Sequence, residues 1–188
     1  KSAIDPGRCK GVSGHESIGE VVLVDQSPLS RTSRSNPAVY VGAWDSLREM
    51  FAVLESSRRR GFSAGTFSFN SGEGRCARCK GNGCERVEMQ FLSDVFIPCP
   101  ECKGKRFRAE VLDIRLGDKN TADLLESTIR LVVRHLEQLQ MPETAAAQPQ
   151  RWTRWHADAL RRLQLLEHVG LGYLKLGQSL SALSGGEA

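Results

Sequence analysis

The alternation of apolar and polar positions divides the chain into segments of different kinds. Residues 20–25 (Glu-Val-Val-Leu-Val-Asp) are a short apolar run bounded by polar residues, which predicts a buried strand ending at Asp25-Gln26-Ser27-Pro28. Residues 29–36 hold two Arg and four Ser or Thr before Pro37 and predict a loop. Residues 45–55 place Leu47, Phe51 and Leu54 on one helical face. Val87, Met89 and Phe91 then alternate like one arm of a hairpin, with 95–97 starting the return. After residue 120 the period becomes helical. Residues 121–139 align Leu124, Leu125, Thr128, Val132, Leu136 and Leu139, with Asn120 or Thr121 as the cap and Pro142 as the stop. Residues 142–150 are rich in Ala, Pro and Gln and predict a linker or surface loop. A last helix is expected over 156–169, through Leu160, Leu163, Leu166 and Val169, ending at Gly170. Strands followed by helices give a mixed α/β class.

Composition narrows the function more than the fold. The 188 residues are 40% apolar and 26% charged with a net charge of +4, ordinary globular proportions that argue against disorder or low complexity. No run approaches the roughly 18 apolar residues of a membrane span, and residues 1–14 lack the apolar region of a signal peptide. A cytoplasmic protein with no membrane partner is the expectation. The charge is local: residues 75–108 hold eight basic and four acidic side chains, the whole of the net +4, together with five of the six cysteines.

Four of those cysteines form two close pairs, Cys76-x-x-Cys79 and Cys99-x-x-Cys102, separated by nineteen residues. This is four-thiolate zinc spacing, because each pair aims two sulfurs from one tight turn and the intervening residues can run out and back as a hairpin. Glycines follow both turns, at Gly81 and Gly83 and at Gly104, where positive φ and amides directed at sulfur are needed. Four thiolates on one divalent ion leave a charge of about −2, which surrounding Lys and Arg stabilise. Disulfide pairing and a thioredoxin-like redox pair are the alternatives. The absence of a secretory signal weighs against the first, and the absence of a βαβ context against the second. Cys9 and Cys84 read as free thiols, Cys84 being close enough in sequence to compete as a ligand.

Two Gly-rich stretches raise the question of phosphate. Ser184-Gly185-Gly186-Glu187 would open a helix with exposed N–H groups beside the positive end of its dipole, a place where a phosphate can approach; a plain helix cap is the simpler reading. Gly11-Val-Ser-Gly14 continues with His15, so it has no lysine for phosphates and reads as a surface turn. Gly170, Gly172 and Gly177 are too loosely spaced for a dinucleotide fingerprint. Trp152 and Trp155 could stack on bases beside arginine, although packing against a neighbouring helix is the plainer expectation.

Several of these motifs, in this order, resemble the second half of the UvrA family: Val24-Asp25-Gln26-Ser27-Pro28, then Arg31 through Ala38, Gly74-Arg75-Cys76 through Gly83, Cys99 through Arg106, and Gly177-Gln178 through Ala188. The resemblance implies an ABC-type ATPase of nucleotide excision repair with a zinc module inserted in its signature domain. It implies a homodimer that binds double-stranded, especially damaged, DNA and hands it to a UvrB-type subunit. Gln26 matches the Q-loop glutamine near the metal and attacking water. Ser184, Gly185, Gly186 and Glu187 match the signature motif that contacts the γ-phosphate of an ATP held, with Mg2+, by another half. Cys76, Cys79, Cys99 and Cys102 match the ligands of the zinc module. The implied parts are a nucleotide-binding core with the Q-loop over 1–60, the zinc insertion over 61–120, and a helical signature domain over 121–188.

Lys80, Lys103, Lys105, Arg106 and Arg108 surround the hairpin as candidate DNA contacts, with a solvated basic face as the alternative. The phosphate loop and the acidic metal-binding strand of such ATPases are absent, so hydrolysis by this chain alone is not expected, and the sequence reads as a piece of something longer. Residues 151–156, with the Ala-rich stretch before them, depart from the family pattern and are consistent with a paralogue in drug resistance. A standalone zinc-binding interaction module, similar to the zinc region of DnaJ-type chaperones, is the other alternative; that region uses four such repeats and this chain has two.

Overall fold

Helix α2 (Ala43–Ala52) shows how the apolar pattern becomes a core: Ala43, Trp44, Leu47, Met50 and Phe51 are buried on one face. The computed structural model describes residues 10–11, 13–22, 34–89, 95–146 and 148–187. Gln26, Cys9, most of the expected 20–25 strand and most of the 29–36 loop lie outside the described residues. Of that strand, residues 20–22 are irregular and exposed, Val21 at 81% and Val22 at 71%, so a buried strand is not formed there. Their apolar side chains meet no partner strand among the described residues.

Before α2, Asn36 caps α1 (Pro37–Tyr40) by accepting from the Val39 amide at 3.1 Å, with Pro37 at the first helical position. After α2 comes α3 (Glu55–Arg59). The chain then turns through Phe67 and Phe69. The Trp44 indole donates to Phe67 O at 3.0 Å, and the Phe51 and Phe67 rings stack at 5.2 Å.

The expected single helix over 121–139 is instead two, α5 (Thr121–Glu126) and α6 (Ile129–Gln138). Asn120 and Asp123 form a capping box at the start, which bears out the Asn120 cap. Ser127 Oγ donates back to Asp123 O at 2.7 Å, and Thr128 Oγ1 accepts from Leu131 N, so these two side chains end one helix and start the next. The break frees backbone that residues 174–177 use: Ile129 N donates to Leu174 O at 2.9 Å, Leu176 N to Ser127 O at 2.9 Å and Gly177 N to Leu125 O at 2.7 Å. The period of the apolar residues survives the break, which is why the sequence did not betray it.

Helix α4 (Ala109–Leu112) precedes this pair, and α7 (Pro149–His168) follows it. The expected start of the last helix at residue 156 is therefore seven residues late, because Pro149 sits at the first helical position, where its missing N–H is not needed. Only residues 143–145 of the expected linker form a short turn of 3-10 helix. The end agrees with the sequence. Gly170, at φ 89°, closes α7: its amide donates to Glu167 O at 3.0 Å, and that of Leu171 to Leu166 O at 2.9 Å. Faces of α2, α6 and α7 meet in one core that includes Leu47, Phe51, Val132, Leu136, Trp152 and Leu163. Trp152 is thus a packing residue. Among the described residues, no helix is long and apolar enough to cross a membrane.

Candidate functional site

The cysteine segment leaves and re-enters the helical unit through a narrow neck. Cys76 N donates to Arg106 O and Arg108 N to Gly74 O, each at 2.9 Å, pairing the two chain passes antiparallel around Arg75 and Phe107. Beyond the neck, β1 (Cys84–Val87) and β2 (Val95–Pro98) form an antiparallel hairpin with Cys84 opposite Pro98 and Val87 opposite Val95. The first arm therefore starts at Cys84 rather than at Val87, and residues 90–94 lie outside the described residues.

Each cysteine pair closes in the same backbone shape. Lys80 and Gly81 have φ of 50° and 87°, and Lys103 and Gly104 have 50° and 86°, so the left-handed turn expected at the glycines extends to the lysine before each. At Gly81 the requirement is double, since a Cβ would also lie 2.0 Å from Phe69 O. The turns bring Cys76, Cys79, Cys99 and Cys102 together, all buried, with every sulfur within 4.8 Å of the others. Across the turns the sulfurs are 3.9 Å (Cys76 to Cys99) and 3.6 Å (Cys79 to Cys102) apart. A disulfide needs about 2.05 Å. A tetrahedron of sulfurs about 2.3 Å from a central zinc has edges of about 3.8 Å.

The electrostatics ask for a cation. Burial raises the Cys76 thiol and pushes Cys102 up to about 12, while the backbone amides of Cys102 and Glu101 pull Cys99 down. Four such groups cannot all ionise side by side without a cation, and a divalent ion reverses that preference outright. Gly83 N donates to Cys79 Sγ at 3.3 Å, an amide-to-sulfur bond of the kind that tunes thiolate ligands. The donor set, spacing and burial fit a structural zinc centre with no open position. Cys84 is half-buried beside Asn82 O and is not part of the cluster.

The basic residues around this cluster divide. Lys80, Lys103, Lys105 and Arg108 are exposed. Arg106 instead turns inward: its guanidinium lies 5.3 Å from the Phe69 ring centroid and donates to Gly177 O at 3.3 Å, and burial lowers its pKa. Arg34, which sequence reasoning did not single out by itself, plays the matching part on the other turn, donating to Asn82 Oδ1 at 2.7 Å and to Lys80 O at 3.3 Å. Nothing in spacing or periodicity distinguishes such an inward arginine from a surface one.

Residues 184–187 lie at the end of a strap tied to the rest of the unit by Leu180, which is buried and donates to Ser35 O at 2.9 Å. Ser184, Gly185 and Gly186 are exposed. Glu187 folds back so that its carboxylate accepts from Ser184 N at 2.7 Å and from the Tyr173 hydroxyl. The Tyr173 bond holds that carboxyl below its usual range and raises the tyrosine in turn. This is the Ser-x-x-Glu arrangement that begins a helix. Gly11 and Gly14 are exposed, Gly14 preceding a turn of 3-10 helix at His15–Ser17.

These features define a class: a helical unit of an ABC-type signature domain, carrying a four-cysteine knuckle on a neck and an exposed Ser-Gly-Gly turn. No family model matches the chain. The UvrABC system protein A of Clostridium acetobutylicum is 44% identical over all 188 residues, and that of Thermus thermophilus 42% identical over 183 residues. The crystal structure of UvrA2 from Deinococcus radiodurans superposes with a TM-score of 0.75 and 41% identity over 88% of the chain. The chain is, from end to end, a segment of UvrA-family sequence and fold. It spans 18% of the length of the Clostridium relative and 18% of the Deinococcus chain.

Proposed function

We propose that this segment serves a UvrA-type ATPase of nucleotide excision repair, binding DNA through the basic surface of a zinc knuckle and supplying the signature turn to a composite ATP site. The observation that carries the reading is the buried four-sulfur cluster, set within a chain that matches UvrA proteins along its whole length. Zinc on Cys76, Cys79, Cys99 and Cys102 is structural: it draws both turns together and orients Lys80 and Lys103, each immediately beyond a ligand. Lys80, Lys103, Lys105 and Arg108 contact phosphates. Arg106, in this reading, is a strut between the knuckle and the strap that leads to the signature turn.

The turn acts through its backbone. Ser184, Gly185 and Gly186 present amides and a hydroxyl to the γ-phosphate of an ATP, with its Mg2+, bound by another nucleotide-binding half. Glu187 and Tyr173 hold the helix start in place, and Gln26 is the Q-loop glutamine. Homodimerisation, preference for damaged DNA, hand-over to a UvrB-type subunit and a cytoplasmic location follow from the family reading. The division into a core over 1–60, a zinc module over 61–120 and a signature domain over 121–188 belongs to the same proposal.

The test is DNA binding by the protein as a function of salt. With about three phosphate contacts, the logarithm of affinity falls against that of salt with a slope of about −2.7. Lys103→Gln with Lys105→Gln, both exposed and remote from the sulfur atoms themselves, is expected to flatten the slope while metal content stays the same. Unchanged binding would assign the lysines to a solvated face and remove DNA from the reading of the knuckle.

A further inference from the structure

The segment that departs from the family pattern, 151–156, forms the first two turns of α7, and nothing in the function above uses it. There, Ser46 of α2 and Arg151, Arg154, Trp155, Asp158 and Arg162 of α7 line an open cleft of about 400 Å3. The one acid in this cleft is already satisfied. Asp158 accepts from the Ser46 hydroxyl at 2.8 Å, from Arg162 Nε at 2.8 Å and from Arg161 at 3.1 Å. Arg162 is fixed by a second bond, to Val41 O at 2.6 Å, so it forms a wall of the cleft.

Two cations are left without an acid. Arg151 donates only to the neutral Gln148 Oε1, at 2.9 Å, and its guanidinium lies 5.0 Å from the Trp155 ring centroid. Arg154 is exposed and has no hydrogen bond or ion pair among the described residues. The helix itself adds to the excess, because α7 starts without a side-chain cap and with no acid in its first turn. Cations at the positive end of a helix dipole work against stability. A guanidinium stacked on an indole at the mouth of a basic cleft is, by contrast, the pairing that nucleic-acid strands use, with phosphate on the cation and a flat ring beside it. Arg151 and Arg154 are separated by about 4.5 Å along the helix axis, close to the roughly 3.4 Å axial spacing of successive phosphates on one strand.

We propose that the cleft at the start of α7 is a second phosphodiester-binding site, in which Arg151 and Arg154 contact successive phosphates of a DNA strand lying along Trp155. Asp158, with Arg161 and Arg162, braces the cleft from below. The site shares no residue with the zinc knuckle and rests on the reading that the protein binds DNA.

The experiment compares the protein with Arg151→Gln plus Arg154→Gln, using a labelled random-sequence duplex over roughly 50 to 200 mM salt. Neutral glutamine removes the cations without adding repulsion. Loss of two contacts flattens the salt slope by about 1.8, so the affinity ratio of parent to variant shrinks about 12-fold across that range. Arg154→Gln alone, at an exposed side chain, is expected to give about half the change in slope and guards against a folding defect in the double variant. Lys103→Gln plus Lys105→Gln is measured in parallel. If the knuckle variant loses affinity and the α7 variant does not, the cleft proposal fails and the function above stands; if neither loses affinity, both fail. Inorganic phosphate binding that the α7 variant loses, with DNA affinity unchanged, would make the cleft a small-anion site and overturn the strand proposal.

Discussion

The helical unit and the cysteine knuckle are stabilised by different means, although they share one neck. In the helical unit Leu47, Phe51, Val132, Leu136 and Leu163 are removed from water, and burial of apolar area holds the elements together. The knuckle has no such core: its buried apolar cluster consists of the four cysteines alone, while Val87, Val95, Phe96 and Ile97 on the hairpin are exposed. A two-stranded hairpin is marginal by itself in water. The first region can therefore fold from its side chains, whereas the second depends on whatever binds its sulfurs. The neck at Arg75 and Phe107, and the inward arginines Arg34 and Arg106, are the places where the two regions meet.

The largest expected effect breaks this pairing at the metal. Chelation, or Cys99→Ser, is expected to remove about 10 kcal/mol of zinc-linked folding free energy and to unfold the segment between the neck strands. Helicity from α5 onward should be retained. Elemental analysis of metal per chain, with hydrogen exchange read separately over residues 74–108 and 121–168, checks it. Metal near zero in the parent protein, or simultaneous loss of protection in both regions, would contradict the division.

A smaller effect acts on the other region. Leu163 is fully buried between α2 and α6, and Leu163→Ala should destabilise the helical unit by about 2 to 5 kcal/mol through lost burial and a residual cavity. Bound metal per chain should not change below the new melting transition. Denaturant unfolding followed by circular dichroism, alongside metal analysis, sharpens the comparison: a parallel loss of zinc would mean that the neck transmits more than its few hydrogen bonds suggest.

The smallest effect is in the pH dependence. Burial would raise Asp158, but the Ser46 hydroxyl and the Arg162 and Arg161 guanidinium groups outweigh it and hold the carboxyl below its ordinary range. A lowered carboxylate contributes stability that is present above its unfolded value, about 3.9, and is lost as pH falls through its folded value. The melting temperature of the helical unit should therefore drop as pH is lowered from about 5 toward 3, and Asp158→Asn should flatten that part of the profile. An unaltered profile in the variant would show that the carboxylate braces nothing.

What could be read in the chain differs between the two regions for a related reason. The metal centre was legible because its chemistry lies in short, local spacings: two residues between each pair of cysteines and glycine where φ must be positive. The Asn120 cap, the end of α7 at Gly170 and the buried faces of α2 and α7 were legible because period and capping are also local. The break at Ser127 and Thr128 was not, since it depends on residues 174–177 arriving from far along the chain to take up the exposed backbone groups.

By itself, then, the sequence determined which residues can form helices, where four sulfurs can converge and which segment holds the net charge, all properties set within about twenty residues. The tertiary structure alone decided which charges are available. Lys103 and Lys105 remain in solvent while Arg106 is drawn under Phe69 to the carbonyl of Gly177, and Arg162 is spent on Asp158 and Val41 while Arg154 is left without an acid. An arginine carries the same charge in every sequence pattern, and its field is felt outside only where no carbonyl, carboxylate or ring has been packed against it.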